Sequence, residues 1–155
     1  MEAHDVTVLS TVVDDMNPEI LGALLEDLLS LGAWEATFTP TQAKKNRPAV
    51  RLEVVCQPEL ARSLAETVLE QTSSLGVRVR QEQRWCLTRR PGRVTVLGRP
   101  LAGKWAQRPS GRWEFKPEHE DCLTLARARG VSLGEVWRAA LVAAQAETGQ
   151  EPESA

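Results

Sequence analysis

Apolar positions recur along this chain with two periods, one of two residues and one near 3.6, and their alternation predicts the elements. Val6 to Val13 is dense in β-branched residues and reads as a buried strand. Asn17 is suited to cap a helix and Pro18 to stand at its first position. Ile20, Leu21, Leu24, Leu25, Leu28, Leu29 and Leu31 then follow at helical spacing, with Gly32 as the stop. Trp34 to Thr39 and Val50 to Val55 alternate as strands, separated by a Thr41–Pro48 connection. Pro58 opens a second helix, apolar at Leu60, Leu64, Ala65, Val68 and Leu69. Thr72 to Gly76 ends it, and Val77 to Leu87 alternates as a long strand. The order β-α-β-β-α-β is that of a ferredoxin-like unit.

Residues 91–112 are less regular. Four Gly and three Pro there predict short strands or a mobile hairpin. A helix is expected over Glu118–Arg129, closed by Gly130. Ser132-Leu133-Gly134-Glu135 has the pattern of a capping box for a last helix, apolar at Val136, Trp137, Ala140, Leu141 and Ala144. The predicted fold is therefore α+β. A ferredoxin-like subdomain spans 6–90, a smaller α+β lobe with two C-terminal helices spans 91–146, and a disordered acidic tail spans 147–155.

Charge sharpens this picture. The formal net charge is −2, but residues 1–43 hold eight acidic side chains and no Lys or Arg. Residues 44–112 hold fifteen Lys or Arg against five Glu, and residues 113–155 hold four against eight acids. A basic middle between acidic ends suits a polyanionic ligand or contacts between unlike surfaces, and equally suits solvated faces that meet inside one fold. No apolar run is long enough for a membrane helix, and the N-terminus lacks the pattern of a secretory signal. Three cysteines, Cys56, Cys86 and Cys122, are odd in number and far apart, so a reducing cytoplasm is expected rather than a disulfide framework.

Two motifs carry candidate chemistry. Asp14-Asp15-Met16-Asn17-Pro18-Glu19 gathers carboxylates where a strand gives way to a helix. Oxygen donors of this kind suit Mg²⁺ or Mn²⁺, and Asp14, Asp15 and Glu19 are the candidate ligands. The same residue types also serve helix capping. Lys44-Lys45-Asn46-Arg47-Pro48 offers two point charges, an amide and a bidentate fork, with Pro48 limiting how the turn leaves. Those residues suit phosphate, or an ordinary solvated hairpin. Thr72, Ser73 and Ser74 could add hydroxyls around phosphate, or simply end a helix.

Glu118, His119, Asp121 and Cys122 form a possible secondary site for a softer metal. Adjacent helical positions point around the cylinder, however, so all four cannot converge, and a solvated first helical turn uses the same residues. No nucleophile elbow, Walker loop or GxGxxG sequence is present, and two His with no Tyr leave little material for a catalytic triad. Of five tryptophans, Trp34, Trp85 and Trp137 fall in apolar elements and are expected in the core. Trp105 and Trp113 fall in the Gly/Pro-rich region and are expected to be free for a ligand or another subunit.

These motifs, taken in order, resemble the C-terminal domain of the LarC-type nickel insertion proteins that complete the nickel-pincer nucleotide cofactor. The residues carrying the resemblance are Val13–Glu19, Phe38-Thr39-Pro40, Lys44–Pro48, Thr72–Arg78 and Lys116–Cys122, and it runs from about Val6 to Ala144. Residues 91–112 match poorly, and Ala49 stands where the family motif usually continues with Gly.

The resemblance implies a lyase-type, CTP-dependent metallation. Nickel, the substrate metal, enters pyridinium-3,5-bisthiocarboxylic acid mononucleotide while CTP is hydrolysed to CMP and pyrophosphate with Mg²⁺ or Mn²⁺. It further implies that this domain binds CTP and forms a homo-oligomer, a trimer or hexamer, and works with an N-terminal nickel-handling region or chain. On the matching positions Asp14 and Asp15 would help hold the metal–triphosphate. Lys44, Lys45, Asn46 and Arg47, with Thr72, Ser73, Ser74 and Arg78, would bind the nucleotide. Neither a membrane nor nucleic acid is expected as partner. The alternatives are a non-catalytic nucleotide-sensing module and an oligomerisation module.

Overall fold

A computed structural model describes residues 1–147, so all but the first residue of the expected tail lies outside the described residues. The chain divides into two compact units: Ala3–Arg84, and Met1–Glu2 together with the chain from Trp85 onward.

The first unit contains β1 (Glu2–Val13), α1 (Pro18–Ser30), β2 (Glu35–Ala43), β3 (Arg47–Cys56), α2 (Ala61–Gln71) and β4 (Arg78–Cys86). Its sheet has the order β2-β3-β1-β4, and β3 runs antiparallel to both β1 and β2. This is the expected ferredoxin-like arrangement. The signals that build it are local. Asn17 accepts the Glu19 amide at 3.0 Å with Pro18 beside it, and Gly32 takes φ 99° after α1. Pro58 begins a short 3-10 turn that leads into α2.

Leu21, Leu24 and Leu28 are the α1 residues that bury, while Ile20, Leu29 and Leu31 remain exposed. Leu24 and Leu28 meet Leu64 and Val68 of α2 over Leu9, Leu52 and Val54 of the sheet. β1 is an inner strand, and Val6 through Thr11 are buried without interruption.

The β2–β3 connection is tighter than expected. Pairing extends to Ala43 opposite Arg47, leaving only Lys44–Asn46 as the turn and placing Pro48 inside β3.

The second unit carries a three-stranded sheet, β5 (Arg89–Val96), β6 (Arg99–Gln107) and β7 (Trp113–Pro117), with α3 (His119–Arg129) and α4 (Leu133–Glu147). The stretch expected to be short strands or a mobile hairpin is instead an antiparallel hairpin with eight paired positions. Its two-residue turn, Leu97-Gly98, takes positive φ at both positions, 51° and 74°, the handedness that matches strand twist. Arg129 holds the turn by donating to the Leu97 carbonyl at 2.7 Å.

The tryptophans correct the sequence reading. Trp34 is 42% and Trp85 64% exposed, whereas Trp105 is 3% exposed. Trp85 lies on β4, at the edge of its sheet, where the strand is almost wholly exposed. Trp105 is buried because Gly92 and Gly103, paired across β5 and β6, leave room for rings: the Trp105 indole lies against Gly92 and the Phe115 ring against Gly103. Trp113 and Trp137 pack at the margin of this core.

A Cβ at Gly103 would come within 2.6 Å of the Lys116 carbonyl oxygen and also meet the Phe115 ring. Gly103→Ala should therefore lower stability by about 1–3 kcal/mol, the range for overpacking a filled core, read as a shift of the urea midpoint at unchanged slope. The last helix offers a second prediction. Glu135 accepts from the Ser132 hydroxyl at 2.7 Å and the Ser132 amide at 2.8 Å, and these bonds hold its carboxyl below its usual range. A carboxyl depressed on folding stabilises at neutral pH, and that contribution is lost as pH falls through its folded value. Glu135→Gln should flatten the acid side of the urea midpoint against pH.

Candidate functional site

Three connections of the first unit meet at one end of its sheet. β1 ends at Val13 opposite Val50, so Arg47 stands alongside the Asp14–Met16 segment that follows β1. Arg47 Nη1 lies 3.6 Å from Asp14 Oδ2. From the other side, the α2–β4 connection reaches the same segment. The Ser73 hydroxyl bonds Asp15 Oδ1, and the Ser73 amide lies 3.1 Å from Met16 Sδ. Asp14, Asp15, Arg47 and Ser73 are thus neighbours, although 59 residues separate the first from the last.

The floor beneath them is a hydroxyl network. Thr11 is 3% exposed, its Oγ1 donates to the Gly76 carbonyl at 2.9 Å, and it meets Ser74 Oγ at 2.5 Å. Thr72 Oγ1 donates to the Val68 carbonyl at 2.7 Å and receives the Ser74 amide at 3.2 Å. Thr72 and Ser74 therefore shape the loop, and Ser73 presents its hydroxyl toward the carboxylates. Sequence reading missed Thr11 and Met16. The signal available for Thr11 was its position: it shares a strand face with Leu9 and Val13, where a hydroxyl needs a partner.

The basic side is less paired. Lys44, Lys45 and Asn46 are exposed at the tip of the β2–β3 hairpin. Lys45 and Asn46 both take left-handed backbone, φ 62° and 63°. Asn tolerates that region, whereas a lysine there costs about 1–2 kcal/mol. Gln42 Nε2 bonds Asn46 Oδ1 and supports the tip. The Asp14–Arg47 pair is loose and the Arg47 side chain 52% exposed, so the fork can turn to an incoming anion at little cost. Arg78 is exposed at the start of β4, and Glu19 is exposed in the first turn of α1.

Among the described residues no three His, Cys, Asp or Glu side chains form a group that could hold a metal ion. Asp14 and Asp15 still fit a magnesium-like ion, which takes one or two carboxylates and completes its octahedron with phosphate and water.

The other acidic motif, in the second unit, is engaged in structure. Asp121 Oδ2 accepts the Ala102 amide at 3.0 Å, and Glu118 Oε1 pairs with Lys104 Nζ at 2.8 Å. Cys122 is fully buried, and burial, aided by the Asp121 charge, pushes its thiol up, away from the thiolate that a soft metal prefers. His119 is exposed at the head of α3.

Fold and site together define an α+β protein with an acidic strand end faced by a basic hairpin. The model of the family "Nickel insertion protein" matches residues 1–137, and the chain belongs to that family. Proteins bearing a nickel insertion designation from Geobacter sulfurreducens and Syntrophobacter fumaroxidans are 44% and 41% identical over 138 residues. Each match covers 88% of this chain but 35% of the relative, so the chain spans about a third of their length.

Among solved structures, the chain is similar to LarC2, the C-terminal domain of a cyclometallase involved in synthesis of the NPN cofactor of lactate racemase, in its apo form. The TM-score is 0.87 at 32% identity, over 93% of this chain and 99% of that one. A Methanopyrus kandleri protein shares the fold, with a TM-score of 0.67 at 23% identity over 97% of each chain.

The Thr11 network makes a direct prediction. Thr11→Val keeps the shape but removes the hydroxyl shared by Ser74 and Gly76, so it should cost about 1–2 kcal/mol. Amide exchange should accelerate across Ser74–Val77 more than in α1.

Proposed function

We propose that this chain is the nucleotide-binding portion of a nickel insertase. It binds CTP with Mg²⁺ or Mn²⁺ and works with an N-terminal nickel-handling region. The assembled protein metallates pyridinium-3,5-bisthiocarboxylic acid mononucleotide, with CTP hydrolysed to CMP and pyrophosphate. What carries this reading is the convergence of Asp14, Asp15, Arg47 and Ser73 at one end of the sheet, with Lys44 and Lys45 on the adjoining hairpin.

In this reading Arg47 leaves Asp14 and forks onto phosphate oxygens, and Lys44 and Lys45 add charge from the tip. Ser73 and its pinned loop orient the Asp15 carboxylate, and Asp14 and Asp15 supply hard oxygen donors. A hard divalent cation held there supplies neutralisation of phosphate charge as the anhydride bond breaks. The placement of Glu19, Asn46 and Arg78 on the same end of the unit supports outer contacts to the ribose or the terminal phosphate.

Calorimetric titration of the purified chain with CTP and with ATP, each with and without Mn²⁺, tests the reading. Mn²⁺-dependent binding that favours CTP is expected. Arg47→Ala should weaken it about tenfold or more, the loss of one charge-assisted contact, at an unchanged urea midpoint. No heat with either nucleotide, or unaltered affinity in both Arg47→Ala and Lys44→Ala, overturns the assignment.

A further inference from the structure

The second unit holds a cleft that the nucleotide reading does not use. It lies between β7 and α4, has a volume of about 340 Å³, and is walled by Trp105, Trp113, Phe115, Leu141 and Ala144, with Arg112 at its margin. We propose that this cleft is a second ligand site and that it takes a planar aromatic anion.

Size and lining come first. The volume falls at the lower end of the range for small-molecule sites, about 300–1,000 Å³, and the aromatic and aliphatic walls share the lining with three polar side chains, Arg112, Glu114 and Gln145. Trp105 and Phe115 are locked against each other, with centroids 5.1 Å apart and planes at 57°, so these walls are rigid. Both are buried, whereas Leu141 keeps 38% of its surface exposed at the rim. Three aromatic side chains in one small cleft favour a flat, polarisable occupant over a branched aliphatic one.

Charge selects the sign. Arg108 grips Glu114 Oε2 through Nε at 2.6 Å and Nη2 at 2.5 Å, and Arg112 pairs with Glu114 Oε1. Two guanidinium groups share one carboxylate, which leaves a surplus positive charge at the mouth. The Arg112 side chain is 73% exposed and has committed one nitrogen, Nη2, to Glu114, so other N–H donors of its fork are available. A third guanidinium, Arg90, sits 4.4 Å from the Trp113 ring centroid, and its Nε is buried without a hydrogen-bond partner among the described residues. A carboxylate on an aromatic ring would reach Arg112 while the ring fills the cleft.

The test uses the full chain with naphthalene-2-carboxylate and its uncharged amide as probes, followed by NMR of the tryptophan indole N–H signals. Neither probe carries phosphate, and the cleft residues belong to the other unit from Asp14, Asp15 and Arg47. The result is therefore independent of nucleotide binding. Saturable shifts confined to Trp105 and Trp113 are expected, with the amide bound about tenfold more weakly for want of one charge-assisted hydrogen bond. Arg112→Gln should bring the carboxylate down to the amide's affinity, and Leu141→Trp should block both. Should Leu141→Trp disturb folding, the exposed Arg112→Gln variant decides alone. Equal binding of carboxylate and amide, shifts spread over all five indoles, or no shift up to the solubility limit overturns the proposal.

Discussion

The position of β1 as an inner strand constrains everything at the candidate site. A strand flanked on both sides must have β3 on one and β4 on the other, and the turn before each begins near where β1 ends. The carboxylates that follow Val13 therefore face two loops at once. Arg47 reaches them from the β2–β3 hairpin and Ser73 from the α2–β4 connection. Neither loop could be positioned by its own sequence. The core of Leu9, Leu24, Leu28, Leu52, Val54, Leu64 and Val68 holds that geometry, and Thr11 ties the second loop to the strand.

What could be read from the sequence was local. Asn17, Pro18 and Gly32 bound α1, Ser132 and Glu135 open α4, and each acts within four residues of its own position. The ferredoxin-like order followed from the periods. Trp34, Trp85 and Trp105 were misjudged because their burial is decided elsewhere in the chain. Trp105 owes its place to Gly92, thirteen residues earlier on the facing strand of the hairpin, while Trp85 owes its exposure to lying on an edge strand. Composition marked residues 91–112 as irregular, yet Leu97-Gly98 makes a tight turn and Gly92 and Gly103 are where rings pack.

The candidate site was legible in part for the same reason. The residue types at 14–15, 44–47 and 72–74 announced oxygen donors, cations and hydroxyls, and the fold brings Asp14, Asp15, Arg47 and Ser73 together. The division of labour in the third motif was not legible. The Thr72 hydroxyl bonds backbone and the Ser74 hydroxyl meets Thr11 and the Gly76 carbonyl, and only Ser73 turns toward the acids. At 118–122 the residue types promised more than helical geometry delivers, since Asp121 holds the β6 backbone and Cys122 fills the core.

The left-handed pair at Lys45 and Asn46 has a consequence for recognition. A lysine on a flexible tip would surrender backbone freedom each time it met an anion. Here the backbone is already confined to a narrow and unfavourable region by the pairing of Ala43 with Arg47 and by the Gln42–Asn46 contact. The ordering cost is met during folding, so the hairpin tip acts as a preset electrode that asks only its lysine side chains to settle.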